Sequence, residues 1–323
     1  MPSDSTHDLT LEAGVLHGQF SSSLSPVLTI ASGDTVRYHR LPDVAWGLEK
    51  HNAEGGPRRK VEPRTPPRDD GPCLAGPIRV EGAAPGDVLA VHIDTLVPGP
   101  WGWTLAGEMD FFNAALNRRL EVAEGPPTIL RWVLEEEIAT DQRGHRAAVR
   151  PMLGTIGVCP AGEGWQSGWT PRRTGGNLDA AVLTEGSVLY LPVEVEGALV
   201  SVGDGHAAQG HGESSGTGIE CMMEEAKLRY VVRPDLKLDA PRAETPRGWV
   251  AFGVGDTLDD ASTMALRGML RWLTEAYDLP RKEALALASV CVDLEVTQLV
   301  NGVRGLHAVL STATRERLFG AET

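Results

Sequence analysis

The residues best suited to chemistry lie in the segment 199–220, which reads LVSVGDGHAAQGHGESSGTGIE. Three of its first four residues are apolar and these four predict a strand, and glycines at six positions then interrupt regular structure. Glycine permits backbone torsions that other residues avoid, and it lets backbone amides approach a ligand closely. Polar side chains on a loop that follows a strand are typical of a functional site on a rigid scaffold. The polar candidates are Asp204, His206, Gln209, His211, Glu213 and Glu220.

Asp204 and His206 are spaced to act as a pair of metal ligands. In extended backbone, residues two apart project to the same side, and carboxylate and imidazole groups both bind zinc. His211 is a further candidate ligand, and Glu213 is either a ligand or a catalytic group. Three protein ligands with one open position would activate a water molecule against a carbonyl carbon. The segment therefore predicts a divalent metal site, with zinc expected first and calcium second.

Glu213, Gln209 and Glu220 are the candidate catalytic residues. A carboxylate such as that of Glu213 can take a proton from an attacking water and later protonate a leaving nitrogen. The alternative interpretation is a solvent-exposed glycine-rich loop whose polar side chains have no catalytic or binding role. The density of glycines and ionisable side chains favours a functional site.

The candidate substrate-binding residues come from two glycine-rich loops. The backbone amides of Gly216, Thr217 and the glycine that follows are placed to donate hydrogen bonds to an oxyanion. Asn177 and Asp179 lie in the predicted loop 161–180, where they either orient a substrate, complete the metal shell or simply stabilise a turn.

Two further sets of polar or aromatic residues have an open interpretation. Gln298 lies in a β-like run near Asp293, where a buried polar group must be hydrogen-bonded, so a supporting role behind the ligands is as reasonable as catalysis. Several tryptophans are predicted in loops and either wall a pocket or pack in the interior, and packing is favoured. They are Trp46, Trp101, Trp103, Trp165 and Trp169.

Composition excludes several classes of protein. The chain has 323 residues, 41% of them hydrophobic, and a net charge of −14. Nucleic-acid binding is disfavoured because phosphate recognition needs a basic face. The four cysteines are scattered without a CxxC motif, and neither a signal peptide nor a long apolar span is evident, so membrane association is not expected. These features predict a soluble, cytoplasmic protein, with a homodimer as the default assembly.

The elements that must position these residues are mainly strands. Short apolar runs alternate with glycine and proline turns up to about residue 250. Apolar residues at helical spacing then predict a helix over 258–277, and a second helix is predicted to begin at Pro280. The residue pattern of 289–310 is again typical of β-strands. The fold class is predicted as α+β: a β-rich, sandwich-like or barrel-like body with a C-terminal helical pair. We expect a single domain over 1–323, β-rich in 8–250, with helices and closing strands in 251–315.

The same segment carries a resemblance to a known family. It closely resembles the acetamidase/formamidase hallmark, GDGHAxQGDGE followed by G-T-x-x-E, and this chain departs from it at His211, where the family usually has Asp. Other stretches that resemble family motifs are residues 75–87, 154–158, 174–179 and 293–298, so the likeness runs in order from about 15 to 310. The positions that match the hallmark are Asp204, His206, Gln209, Glu213, Gly216, Thr217 and Glu220.

The resemblance implies both an activity and a cofactor. It implies hydrolysis of a small linear amide, such as formamide or acetamide, to a carboxylate and ammonia. It also implies the family's β-rich architecture with C-terminal helices, and a bound divalent metal. The only partner it implies is the small amide itself, whose identity the loops 50–75 and 161–180 are expected to set.

Two rival functions stay open from the sequence. The run Glu213-Ser214-Ser215-Gly216 is superficially similar to the nucleophile loop of serine amidases, which commonly use a lysine base. The early lysines, Lys50 and Lys60, lie in a polar loop instead, and a cysteine nucleophile lacks the expected neighbours. The second rival is a non-catalytic β-sandwich binding protein whose metal is structural and fully enclosed by protein ligands.

Overall fold

The computed structural model describes residues 4–52, 57–107 and 113–320. Residues 53–56 of the predicted loop 50–75 lie outside these ranges. The helices are α1 (Ala114–Arg119), α2 (Leu258–Tyr277), α3 (Arg281–Cys291) and α4 (Thr312–Phe319). The strands are β1 (Thr6–Thr10), β2 (Leu16–His17), β3 (Gln19–Phe20), β4 (Leu28–Ile30), β5 (Thr35–Leu41), β6 (Leu74–Val80), β7 (Val88–Ala106), β8 (Thr128–Glu135), β9 (Ile138–Asp141), β10 (Arg146–Ala148), β11 (Met152–Val158), β12 (Gln166–Ser167), β13 (Gly175–Asn177), β14 (Val188–Pro192), β15 (Val200–His206), β16 (Glu220–Arg233), β17 (Arg242–Thr245), β18 (Gly248–Gly255), β19 (Asp293–Gln298) and β20 (Arg304–Ser311).

Two long antiparallel strands, β7 and β16, form the spine of the sheet system. Strand β5 pairs with β16, while β8 and β14 pair with β7. A chain of pairings then runs from β14 through β17, β18 and β20 to β19. On the other side, β15 pairs with β16, β6 and β11. These pairings branch and do not return on themselves, so the described strands form no closed barrel.

The strands that lead to the candidate site are covered on both faces. Every residue of β11 and of β15 is buried, including the polar ones at the end of β15. A strand that is buried along its whole length has no face left for solvent. Side chains at the ends of these two strands are therefore held in the interior of the fold.

The helix predicted over 258–277 is confirmed as α2. It begins after Thr257, whose side chain accepts a hydrogen bond from the amide of Asp260 (3.1 Å), and acidic residues occupy its first turn. Its buried face, which includes Ala261, Ala265 and Met269, packs against β18 and β20. Helical periodicity of the apolar residues was sufficient to predict this element.

The second helix continues further than predicted. Residues 289–291, which were expected to be β-like, form the last turn of α3, and β19 begins at Asp293. The alanine- and leucine-rich text before residue 289 favours helix, and nothing stops it until the extended backbone of Val292. The prediction for these three residues was wrong because three β-compatible residues do not outweigh an established helix.

The predicted fold class is confirmed: a β-rich body with helices near the C-terminal end. None of the helices in the described ranges has the length and apolar content needed to cross a membrane. The single-domain assignment over 1–323, with its division near residue 250, stays a prediction.

Candidate active site

Four carboxylates and one imidazole meet in the interior. Candidate ligand atoms within 4.8 Å of one another form two groups that share His206, one with Asp179 and Asp204 and the other with Glu213 and Glu220. All five side chains are buried. The predicted metal ligands Asp204 and His206 are therefore brought together, and Glu213 and Glu220 join them. We call these five residues the acidic cluster.

His206 is at the centre of the acidic cluster. Its Nε2 atom lies 2.7 Å from Glu220 Oε1 and 3.3 Å from Asp204 Oδ1, and its Nδ1 lies 4.0 Å from Asp179 Oδ1. Despite these separations, neither ring nitrogen has an aligned hydrogen-bond partner among the described residues. Leaving a buried polar atom without a partner costs about 1–3 kcal/mol. Ligand atoms that converge without bonding one another are arranged as they would be around a cation.

The convergence of Asp204 and His206 does not arise as the sequence suggested. Both belong to β15, but Asp204 has φ 61°, in the left-handed region, so strand alternation is broken at this residue. Asp179 (φ 47°) and Glu213 (φ 44°) share this conformation. Left-handed backbone is uncommon outside glycine, and such residues concentrate at functional sites. Three of the four carboxylates are thus aimed inward by unusual backbone torsions.

Gly154 in β11 leaves the space that the carboxylates fill. A β-carbon at residue 154 would lie 2.2 Å from Asp179 Oδ1 and 2.4 Å from Asp204 Oδ2. No carbon–oxygen contact of that length is tolerated without displacement. The glycine in the 154–158 motif therefore has a steric reason, which the sequence alone did not reveal.

Asp179 is held by a network of amides. Its Oδ2 accepts hydrogen bonds from Asn177 Nδ2 (2.9 Å) and Asn301 Nδ2 (2.5 Å), while Oδ1 has no partner among the described residues. Thr155 Oγ1 in turn donates to Asn177 Oδ1 (2.5 Å). One oxygen of Asp179 is therefore fixed by the protein, and the other is left facing the acidic cluster.

Gln298 supports this network indirectly, by stabilising the turn that carries Asn301. Its Oε1 accepts hydrogen bonds from the amides of Val300 (2.7 Å) and Asn301 (2.9 Å), which shapes the turn that carries Asn301. Asn301 itself was missed from the sequence. The signal that pointed nearby was the motif at 293–298, whose last residue builds the turn.

Gln209 and Glu220 have different positions within the site. Gln209 Nε2 donates to the carbonyl of Asp179 (2.7 Å), so it supports the backbone behind the acidic cluster. Glu220 belongs to the acidic cluster, and its Oε1 accepts a hydrogen bond from the amide of Gly218 (2.8 Å). Glu220 Oε2 and Glu213 Oε2 are buried without a partner among the described residues.

His211 does not join the acidic cluster. Its Nε2 lies 3.3 Å from Glu295 Oε2, and the candidate ligand atoms near it belong to Glu295 and His307. Its side chain is 38% exposed. The assignment of His211 to the same ion as Asp204 and His206 is therefore corrected. His211 and Glu213, on either side of Gly212, point to different clusters. The sequence alone does not reveal in which direction each of these side chains points.

The backbone amides predicted to form an oxyanion hole are partly occupied. Gly216 N donates to the carbonyl of Glu213 (2.9 Å), and Gly218 N donates to Glu220. Thr217 Oγ1 accepts from Leu105 N (2.9 Å) and donates to Leu105 O (3.1 Å), which fastens the loop to β7. The oxyanion role predicted for Gly216 and the glycine at 218 is corrected, because their amides stabilise the loop.

A cavity of about 150 Å³ opens onto the acidic cluster. The predicted substrate-binding residues Asn177, Asp179, Gly216 and Thr217 all line it. Sequence reasoning missed Asn113, whose Oδ1 is buried without a partner among the described residues. A larger and more open cavity of about 480 Å³ lies nearby, but none of the five clustered side chains lines it. The smaller cavity is the better candidate because it touches four of them.

Two of the five tryptophans wall this cavity, Trp103 and Trp169. Trp103 lies in β7, not in a loop as predicted, and its Nε1 donates to Asp43 Oδ2 (2.8 Å). Asp43 also receives Arg58 in a buried ion pair (2.5 Å). Trp46 packs in the core as favoured. The ring of Trp103 is thus a fixed wall of the cavity.

Burial and mutual repulsion favour the protonated forms of Asp179, Glu213 and Glu220, whereas at Asp204 the effect of burial is outweighed by His206 and by hydrogen bonds, and its pKa is lowered. Burial, reinforced by the charge of Asp204, raises the pKa of Asp179 to about 7, and burial raises the pKa of Glu220 to about 8. Burial also raises the pKa of Glu213 well above its usual range. Burial lowers the pKa of His206, but the carboxylates of Glu220 and Asp204 outweigh it and raise that pKa well above the usual value. One imidazolium does not balance four carboxylates, so the site is short of positive charge.

The groups needed by the rival mechanisms are poorly placed. Ser215 Oγ lies 3.3 Å from both the carbonyl and the hydroxyl of Thr217, and neither is a base. Burial raises the pKa of the Cys159 thiol to about 11 and that of Cys221 further still. These thiols are neutral at physiological pH and poor nucleophiles.

Known proteins with similar sequences and structures are named acetamidases and formamidases. Residues 165–240 match the model of the Acetamidase/Formamidase family. The chain is 32% identical over 202 residues to an acetamidase of Mycolicibacterium smegmatis, a match that covers 45% of this chain and only 50% of that protein. The structure is similar to that of an acetamidase from Bacillus halodurans (TM-score 0.80, 28% identity, 96% of this chain and 100% of that one). It is also similar to a predicted acetamidase/formamidase from Thermoanaerobacter tengcongensis (TM-score 0.82, 26% identity, 98% and 100%). The resemblance to the acetamidase/formamidase family is confirmed.

Proposed function

We propose that this chain, similar to acetamidases and formamidases over its fold and its glycine-rich segment, is an amidohydrolase that cleaves a small linear amide to a carboxylate and ammonia. The observation that carries the proposal is the acidic cluster, whose unpartnered ligand atoms face a small cavity. A buried concentration of negative charge needs protons or a cation. Such a site beside a polar-lined cavity is suited to metal-assisted hydrolysis.

The donor set of the acidic cluster fits a divalent metal. We assign Asp204, His206 and Glu220 as its ligands, because both carboxylates lie beside the same nitrogen of His206. A set of one imidazole and two carboxylates favours zinc, while the further oxygens of Asp179 and Glu213 would also suit calcium. When bound, the cation would polarise the amide carbonyl and favour ionisation of a water molecule.

Glu213 is the residue that we assign to proton transfer. Its buried Oε2 has no partner among the described residues, and the side chain lines the cavity. Its raised pKa makes its carboxylate a stronger base toward an attacking water, and the acid so formed can donate a proton to a leaving nitrogen. In the first step the carboxylate takes a proton from the attacking water, and in the second it gives that proton to the leaving nitrogen, which departs as ammonia.

Two asparagines are suited to orient the substrate. Asn113 Nδ2 donates to the carbonyl of Ser215 (2.5 Å), which leaves its buried Oδ1 free among the described residues to accept a hydrogen bond from a substrate NH₂ group. Asn177 lines the same cavity while holding Asp179. The small volume and the flat walls formed by Trp103 and Trp169 favour a short acyl group.

The assembly and cellular location stay predictions. A homodimer and a cytoplasmic location are the expectations from the sequence, and the amide is the only small-molecule partner proposed.

The proposed function is tested by ammonia release. Purified protein is assayed with formamide, acetamide and a longer linear amide, before and after chelation and again after zinc or calcium is restored. We expect release from the short amides, loss on chelation and recovery with metal. The Asp204→Asn variant should lose turnover, whereas the matched exposed variant Asp235→Asn should not.

Other outcomes would favour the rivals. Release that resists chelation but is abolished by a serine-directed covalent reagent would favour a serine amidase. No release from any amide, together with a tightly held metal, would favour a binding protein with a structural ion.

A further inference from the structure

Three side chains outside the acidic cluster meet beside the β19–β20 pair. Their candidate ligand atoms lie within 4.8 Å of one another, and they belong to His211, Glu295 and His307. Glu295 and His307 are direct partners in the antiparallel register of β19 and β20. Cross-strand partners carry their side chains on the same face of a sheet. We call these three residues the outer triad.

The distances within the outer triad centre on one oxygen. Glu295 Oε2 lies 3.3 Å from His211 Nε2 and 3.4 Å from His307 Nε2. In a tetrahedral zinc site with metal–ligand bonds of about 2.0–2.1 Å, two ligand atoms are separated by roughly 3.3 Å. Both separations therefore match the edges of such a site. They are longer than good hydrogen bonds to nitrogen.

His307 has an unused nitrogen in the interior. Its side chain is buried, and its Nδ1 is paired with Thr297 Oγ1 at 2.7 Å. Its Nε2, which points to Glu295, has no hydrogen-bond partner among the described residues. Metal-binding histidines are commonly fixed through one nitrogen while the other coordinates the ion. His307 has this arrangement, with Nδ1 fixed by Thr297 and Nε2 available to an ion.

A pair of backbone hydrogen bonds at the neighbouring Gly212 brings His211 to the outer triad. Gly212 N donates to Thr297 O (3.0 Å), and Leu299 N donates to Gly212 O (3.1 Å), so the glycine-rich loop is docked along the end of β19. The partly exposed side chain of His211 gives an ion a route from solvent.

Arg247 is the group that opposes cation binding here. It donates to both oxygens of Glu295, with Nη1 2.6 Å from Oε2. A carboxylate has about four lone-pair positions, so Oε2 can bind an ion while it accepts this hydrogen bond. The guanidinium also fixes the orientation of the carboxylate, but its charge repels a cation and should lower the affinity.

We propose that His211, Glu295 and His307 form a second divalent-metal site, separate from the acidic cluster, that takes zinc or a similar transition metal with water as the fourth ligand. Two imidazoles and one carboxylate favour such an ion over magnesium or calcium, which prefer all-oxygen shells. Only Gly212 separates His211 from Glu213 along the chain, yet the outer triad shares no ligand with the acidic cluster.

The experiment measures bound metal. Full-length protein is stripped with a chelator, equilibrated with Zn²⁺ and analysed for zinc per chain. In parallel, Co²⁺ is added as a probe, because tetrahedral Co²⁺ absorbs visible light. We expect His211→Asn and Glu295→Gln each to lose one equivalent of zinc and the matching Co²⁺ absorption. The matched control is His145→Asn, which changes another exposed histidine paired with a carboxylate.

Two further variants separate the outer triad from the acidic cluster. Asp204→Asn should keep the Co²⁺ absorption that depends on His211. Arg247→Gln should bind zinc at the outer triad more tightly, because a repelling charge is removed. Unchanged zinc content and absorption in both His211→Asn and Glu295→Gln would overturn the proposal. So would loss of the same absorption in Asp204→Asn, since that would make the two positions one site.

Discussion

Gly154 lies so close to Asp204 that a methyl group at residue 154 would stand 2.4 Å from Asp204 Oδ2. We expect Gly154→Ala to displace both adjacent carboxylates, lower metal content and abolish turnover. The overpacking should also cost about 1–3 kcal/mol of stability. Metal analysis and thermal unfolding measure these effects. Gly210→Ala is the control, because a β-carbon there meets nothing within 4 Å. Full metal content in Gly154→Ala would contradict the steric account.

Removing a ligand of the acidic cluster should lower metal content and turnover together. We expect Asp204→Asn, His206→Ala and Glu220→Gln each to reduce kcat/KM by at least about 100-fold, since even residues that only support a ligand cost 10- to 100-fold. Circular dichroism checks that the fold is intact. Unchanged metal stoichiometry in these variants would remove the ligand assignment.

Glu213→Gln should affect turnover more than metal occupancy. Loss of a general acid–base typically costs about 100- to 10,000-fold in rate. The variant should also lose the limb of the pH–rate profile that belongs to this carboxyl group. Metal content and kcat are measured on the same preparation. A variant with normal kcat would leave proton transfer to another group.

Asn301 is expected to act through Asp179 and not on the substrate. Asn301→Ala removes the shorter of the two side-chain donors to Asp179 Oδ2 and a donor to the carbonyl of Asn177. We expect metal affinity to fall by about 10- to 100-fold, with KM for the amide little changed once metal is saturating. Titration with a competing chelator gives the affinity. An increase in KM at saturating metal would instead indicate direct substrate contact.

Stability without metal should fall as pH rises. The pKa of Asp179, about 7, and that of Glu220, about 8, lie above the ordinary values near 4, so the folded state holds more protons than the unfolded state in between. The stabilisation is complete below the ordinary pKa and is lost as pH rises through the folded values. Melting temperatures of chelated protein from pH 5 to 8 test this, and Asp179→Asn should show a shallower decline. Zinc should raise the melting temperature more at pH 8 than at pH 5, because binding displaces protons.

The sequence predicted the elements and several members of the acidic cluster better than it predicted their geometry. Helix α2 was predictable because helical periodicity is a local feature of the sequence. Asp204, His206, Glu213 and Glu220 were predictable because they share one unusual segment. Gly154 and Asn301 were not, since they reach the acidic cluster through pairing and turns that join distant parts of the chain.

The error at His211 has a specific cause. Asp204 and His206 were expected to converge through extended backbone, and His211 was added because it is near in sequence. The left-handed torsion at Asp204 and the docking of Gly212 on β19 decide which side chains meet. The backbone torsions of a glycine-rich segment are hard to predict from sequence, because glycine permits many conformations about equally.

Two backbone hydrogen bonds hold Gly212 against the end of β19, and the residues on either side of Gly212 belong to different clusters. His211 on one side reaches outward to Glu295, and Glu213 on the other reaches inward to the acidic cluster. A disturbance that lifted this single residue from β19 would loosen both at once. A metal ion bound by His211 near the surface would therefore also restrict the motion of Glu213 in the interior.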